Sequence, residues 1–256
     1  MVMPRTAYAD QVTIMSTLYA IEMFPVGEEG PQVTTGTPRL SRSAIVDAAI
    51  RLADEGGLAG LSMRKVADSL GVGAMSLYRH VADKEALLLA MTEEIGRLYP
   101  YPVETSPPWR ERVRIAVDVD WELYARHPWV VLAYSSPRNS YGEDSLECLD
   151  WLSAGFLELG VDIEQATDMA LSVWSFVQGV ALAAVGDELL AQQVRGESGP
   201  DAPCLTDVIS GRSDADVPPH LARLAGRPDA TRLLDPRARL DAGIDYLCAG
   251  FEASAR

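Results

Sequence analysis

The stretch Leu61-Ser62-Met63-Arg64-Lys65-Val66-Ala67-Asp68-Ser69-Leu70-Gly71-Val72-Gly73-Ala74-Met75-Ser76-Leu77-Tyr78-Arg79-His80 reads as two short helices around a glycine turn. Ser62 is placed to cap the first, which runs through Val66, Ala67 and Leu70. Gly71 breaks it, at a point where a positive φ is cheap only for glycine. The second helix covers about Ala74 to Val81. Ala67 is small where the two helices cross, and Val66, Leu70, Val72 and Leu77 face inward and lock the angle. These are the mechanics of a helix-turn-helix, whose second helix offers its N-terminal turns to a major groove about 12 Å wide. Ala74, Met75, Ser76, Tyr78, Arg79 and His80 are left to divide between the groove and its walls.

Working outward, helical signals follow one another with almost no strand pattern. Ile45, Ala48, Ala49, Leu52 and Ala53 recur at helical spacing after a Ser41 or Ser43 cap, and Gly56-Gly57 ends that helix. Asp83 caps a helix with Leu87, Leu88, Met91 and Ile95 on its apolar face; the prolines around Tyr99–Pro108 stop it and mark a linker. Further helices are expected from Trp109 to His127-Pro128, near Trp129–Ser135, from about Gly142 to Leu159, from an Asp162 cap to about Leu190, and over Leu240–Phe251. The expected fold is all-α, with a flexible arm at 1–38, a helix-turn-helix head at 39–98 and a helical regulatory and dimerisation body at 99–256. Residues 195–235 are rich in Gly, Pro, Asp and Arg and read as a flexible loop within that body.

Composition bounds the chemistry. The formal net charge is −15, which opposes nucleic acid at first sight. From Arg39 to Lys84, however, seven basic residues face five acids, so that stretch is +2 and the remainder −17. An acidic body on a mildly basic head is repelled by DNA everywhere but at the head. Cys148, Cys204 and Cys248 form no Cys-x-x-Cys pair and suggest neither a zinc site nor a disulfide framework. No phosphate loop, Gly-x-Ser-x-Gly elbow or nucleophile–base pair involving His80, His127 or His220 points to an enzyme. No apolar run reads as a membrane span, and Val12–Phe24 lacks the flanks of a secretory signal, so a cytoplasmic protein is expected.

The run Gly71-Val-Gly-Ala-Met-Ser-Leu-Tyr-Arg-His-Val-Ala-Asp-Lys-Glu-Ala-Leu87, with Ile45–Gly57 upstream, resembles the signature of the TetR family. Tyr78-x-His80-Val81 and Lys84 stand in the order of its tetracycline-repressor branch. The resemblance implies a homodimeric repressor that leaves double-stranded operator DNA when a small hydrophobic or aromatic effector binds. It places Arg64 as base reader, Ser76, Tyr78 and His80 on bases or phosphates, and Lys84 on phosphate at a helix start. Ser62, Ala74 and Met75 complete the expected DNA surface. Ala74 and Met75 carry no hydrogen-bonding group, so an operator different from the tetracycline one is expected. The alternative is a helical binding or scaffolding protein whose head does not touch DNA.

In the body, Trp121, Tyr124, Tyr134, Trp151, Trp174 and Gln178 suit an aromatic or polycyclic effector. The resemblance puts the dimer interface on the long helix and the last one; Val173, Phe176, Val177, Val180, Ile244, Leu247 and Phe251 are the expected contacts. The tetracycline branch holds its drug with a histidine-bound magnesium ion. Here His127 is the one body histidine before His220 and, followed by Pro128, reads as a helix end. No metal or other cofactor is expected.

Overall fold

The computed structural model describes residues 40–194, 218–224, 233 and 235–255, with side chains omitted over 187–194. The expected arm at 1–38 and most of the 195–235 loop lie outside the described residues. The described residues from Ser41 onward belong to one compact unit.

Among the described residues ten α-helices and no strands are present. Four lie at the N-terminal end: α1 (Arg42–Gly60), α2 (Met63–Ser69), α3 (Ala74–Leu77) and α4 (Lys84–Leu98). Their starts are set by local chemistry. Ser41, Ser62 and Asp83 each accept a hydrogen bond from a backbone N–H three residues on, satisfying donors that a helix start leaves unpaired. The regular helix of α1 ends at Gly56-Gly57 as expected. Gly57 swings to φ 64°, and one further turn, Leu58–Gly60, follows the kink. Ile45, Val66, Leu77, Leu87 and Met91 are fully buried and tie the four helices together.

The remaining helices are α5 (Trp109–Arg126), α6 (Trp129–Ala133), α7 (Pro137–Ser140), α8 (Glu143–Phe156), α9 (Ile163–Val194) and α10 (Pro236–Ser254). A 3-10 turn, Leu157–Leu159, extends α8 to Gly160, whose φ of 81° reverses the chain; a second covers Leu221–Leu224. The α9 helix is the axis of the body. It packs against α5, α6, α8 and α10, and also against α1. Two close approaches fix this packing. The ring of Phe176 on α9 sits over Gly243 of α10, where any Cβ would meet it at 2.1 Å. Gly155 of α8 lets the stem of Arg112 pass, where a Cβ would stand 2.6 Å from Cδ. Arg112 is buried; it donates to the carbonyls of Pro107 and Trp151 and lies 5.0 Å from the Trp151 ring centroid.

Ile163–Gly186 of α9 is long and apolar enough, by length and composition, to cross a membrane. Gln165, Asp168 and Gln178 interrupt the run and hide it from a search for unbroken apolar stretches. A soluble protein's core helix passes the same test, and α9 packs against five helices of its own chain.

Candidate DNA-reading surface and effector cavity

Between Gly71 and His80 the side chains of Met75, Tyr78, Arg79 and His80 are exposed. Gly71 has φ 66°, which turns the chain between α2 and α3. Leu77 is fully buried and anchors α3 from beneath. Met75 is 78% exposed and Tyr78 45%. His80 is exposed, while Ala74 and Ser76 are half-buried. The second helix was expected to reach Val81. It is α-helical only over Ala74–Leu77, because the Leu77 carbonyl accepts from both His80 and Val81 and tightens the last turn.

The cations around this surface differ in freedom. Arg64, on α2, has 89% of its side chain exposed and only a 3.9 Å contact with Asp68, itself exposed. An exposed pair at that distance contributes little, so the guanidinium is available to a base edge. Arg79 donates weakly to Ser76 Oγ at 3.4 Å. The Lys84 ammonium, at the start of α4, donates to the Leu58 carbonyl at 3.3 Å and so steadies the α1 kink as well as adding positive charge. Ser62 Oγ is occupied as a helix cap.

In the body, a cavity of about 130 Å³, open to solvent at its mouth, lies among α4, α5, α8 and α9. Asp120 projects from α5 onto its wall. Tyr101 donates to Asp120 Oδ1 at 2.9 Å, and Trp174 donates to the Tyr101 oxygen at 2.9 Å. Burial pushes the Asp120 carboxyl up to about 7, partly offset by the Tyr101 hydrogen bond. The same burial drives the hydroxyls of Tyr101, Tyr124 and Tyr134 upward and the Cys148 thiol to about 12, so all four stay neutral. On the far side, Gln178 donates to the Val131 carbonyl at 2.9 Å.

Two connections run from this region toward the N-terminal helices. Gly96 and Tyr99, at the end of α4, line the cavity. Separately, Asp54 of α1 holds His127 Nδ1 at 2.8 Å and accepts from Trp129 Nε1 at 2.7 Å. His127 closes α5, two turns beyond Asp120.

Comparison with known proteins agrees with this architecture. Residues 45–91 match the family described as bacterial regulatory proteins, tetR family. An HTH-type transcriptional regulator of Saccharopolyspora erythraea is 32% identical over 219 residues, covering 85% of this chain and 87% of that one. The chain belongs to the TetR family. The HTH-type transcriptional repressor DrrR1 of Streptomyces coeruleorubidus is 32% identical over 145 residues, 56% of this chain and 53% of its own length. The crystal structure of a possible TetR family transcriptional regulator from Streptomyces coelicolor A3(2) superposes with a TM-score of 0.66 at 25% identity, covering 84% of this chain and 100% of that one. The protein is therefore a DNA-binding transcriptional regulator.

For a TetR-family regulator the placements of the expected residues are informative. Tyr124, Tyr134, Trp174 and Gln178 line the cavity. Trp121 does not; it is half-buried one position past Asp120. Trp151 lies behind the wall, packed on Tyr101 at 5.6 Å and donating to the Thr105 carbonyl. His127 does not line the cavity, and its Nδ1 is held by Asp54, so it is not placed to hold a metal beside an effector. Sequence reading missed Asp120, Tyr99 and Tyr101. A signal for Asp120 existed: it stands on the apolar stripe Val113, Ala116, Val117, Leu123, Tyr124, where a carboxylate is out of place.

The expected interface residues differ in how far their own chain covers them. Val173 and Val177 are fully buried inside the protomer, Val180 and Ile244 nearly so, and Phe176 is seated on Gly243. Phe251 packs on Phe156 at 5.2 Å, and Leu247 is half-buried. Most of these side chains join α9 and α10 to their own chain. An apolar stripe on a helix does not say which chain covers it.

Proposed function

We propose that this TetR-family regulator is a homodimeric repressor whose operator affinity falls when a small hydrophobic or aromatic molecule fills the body cavity. The observation that carries the reading is the path of α4. Its first residue, Lys84, stands beside the α1 kink, and its far end supplies Gly96 and Tyr99 to the cavity wall. A molecule that moves the cavity end of α4 also moves the helix that supports the DNA-reading surface. The Asp54–His127–Trp129 cluster gives α5 a second hold on α1. The shift is governed by the difference in ligand affinity between the two geometries.

In this reading Arg64, Met75, Ser76, Tyr78 and His80 meet the major groove, with Ala74 packing against sugar or a thymine methyl. Lys84 and the capped start at Ser62 flank the phosphates. Dimerisation supplies two heads for successive grooves about 34–36 Å apart. The faces available for it carry Gly179, Leu182 and Ala183 on α9 and Tyr246, Ala249, Gly250 and Ala253 on α10, all exposed in the protomer. Leu182 is 43% and Tyr246 74% exposed, and small neighbours allow close helix approach.

The test is a titration of the selected operator against molecules that quench Trp174 fluorescence. A quencher that also releases DNA, and loses both effects in Tyr134→Ala, supports the proposal. Operator affinity indifferent to every molecule that occupies the cavity would contradict it.

A further inference from the structure

The cavity is chemically one-sided. Rings of Tyr99, Tyr101, Tyr124, Tyr134, Tyr141 and Trp174 line it, and its charged groups are the carboxyls of Asp120 and Asp144. No Lys, Arg or His contributes to the wall among the described residues. The geometry points to an organic cation, an aromatic or alkyl ammonium, as the class of effector this cavity takes, with Asp120 as its counter-charge. This inference rests on the effector reading above and narrows it.

Three features combine. Aromatic faces attract a cation, most strongly when water is excluded. The Trp174–Tyr101–Asp120 chain is directional: Trp174 N–H occupies the Tyr101 oxygen, so the Tyr101 proton is committed to Asp120 Oδ1. That holds the carboxylate in one orientation at the wall. A bound cation also supplies the opposite charge that Asp120 otherwise lacks, drawing its carboxyl back toward the ionised form. The other groups facing Asp120 are Tyr101, Tyr124, Tyr134 and Cys148, all held neutral, and Asp144 on α8.

The experiment uses the full chain and three probes of similar shape: trimethyl(2-naphthyl)ammonium, its uncharged isostere 2-tert-butylnaphthalene, and 2-naphthalenesulfonate. Binding is read by calorimetry and Trp fluorescence, and release of the selected operator is followed in parallel. The cation is expected to bind at least about 10-fold more tightly than either analogue at pH 8. Because its charge is fixed, its affinity falls about 10-fold by pH 5.5, as Asp120 takes up a proton. Asp120→Asn abolishes the preference; if that variant fails to fold, the pH series on the wild-type chain decides. Equal or tighter binding of the neutral probe, a preference that survives Asp120→Asn, a pH-independent cation affinity, or no binding of the cation overturns the inference. The two readings fail separately. A neutral probe that binds and releases DNA where the cation does neither leaves the effector reading standing. A cation that binds without changing operator affinity leaves the chemical class standing and removes the release mechanism.

Discussion

The DNA-reading surface and the cavity are built in opposite ways. Ser62, Gly71 and Asp83 shape the first through contacts with residues at most a few positions away, and its working side chains stand exposed. The second brings together Tyr99 and Tyr101, Asp120, Tyr134, Cys148 and Trp174 from five separate segments, and its working groups are turned inward. A local surface tolerates loss of one side chain without losing its shape. A cavity assembled from distant segments depends on every close approach that holds its walls.

The sharpest way to break the contrast is at such an approach. Gly155→Val forces a branched side chain against Arg112 Cδ and the Trp109 backbone. It is expected to cost about 3 kcal/mol by thermal melting. A variant as stable as the wild type would show that the walls adjust freely. Arg64→Ala is the opposite case. With 89% of the side chain exposed, melting should not change, while operator affinity falls by about 2 kcal/mol and selectivity relaxes at one base pair. An unaltered binding profile would remove Arg64 from the readout.

The difference also decides what sequence alone reveals. The caps, the turn glycine and the buried Val66 and Leu77 belong to a short motif and read directly. The shortening of α3 does not, since it depends on how the Leu77 carbonyl is shared by two donors. In the body, aromatic content pointed to Tyr124, Tyr134 and Trp174, yet Trp121 and Trp151 looked equally suitable. Only packing separates a ring that faces the cavity from one that supports the wall. Val173 and Val177 show the same limit: a helical stripe records that a face is covered and not by what.

Two smaller effects sharpen the contrast. The Asp120 carboxyl lies near 7 in the folded protein against 3.8 ordinarily. Its stabilising contribution is therefore complete below about pH 4 and lost as pH rises through 7. Asp120→Asn should melt above the wild type at pH 8, with the advantage vanishing in acid. An advantage independent of pH would mean that the carboxyl does not titrate there. Lys84→Ala should weaken binding to all DNA sequences by about 1 kcal/mol and lower the salt slope by about 1. It should also cost a little stability through the lost Leu58 contact. A loss confined to one operator would make Lys84 a base reader.

The central claim is that the inside of the body and the outside of the head are linked. Ser145→Trp tests it without knowing the effector. Ser145 lines the cavity on α8, and a tryptophan there occupies the space a ligand would take. The measurement is operator affinity of this variant, in protein whose helix content and dimer mass match the wild type. Affinity at least about 10-fold weaker, in the range of ordinary allosteric coupling, is the predicted result. A folded dimer that grips the operator as tightly as the wild type, with its cavity filled, would contradict the account.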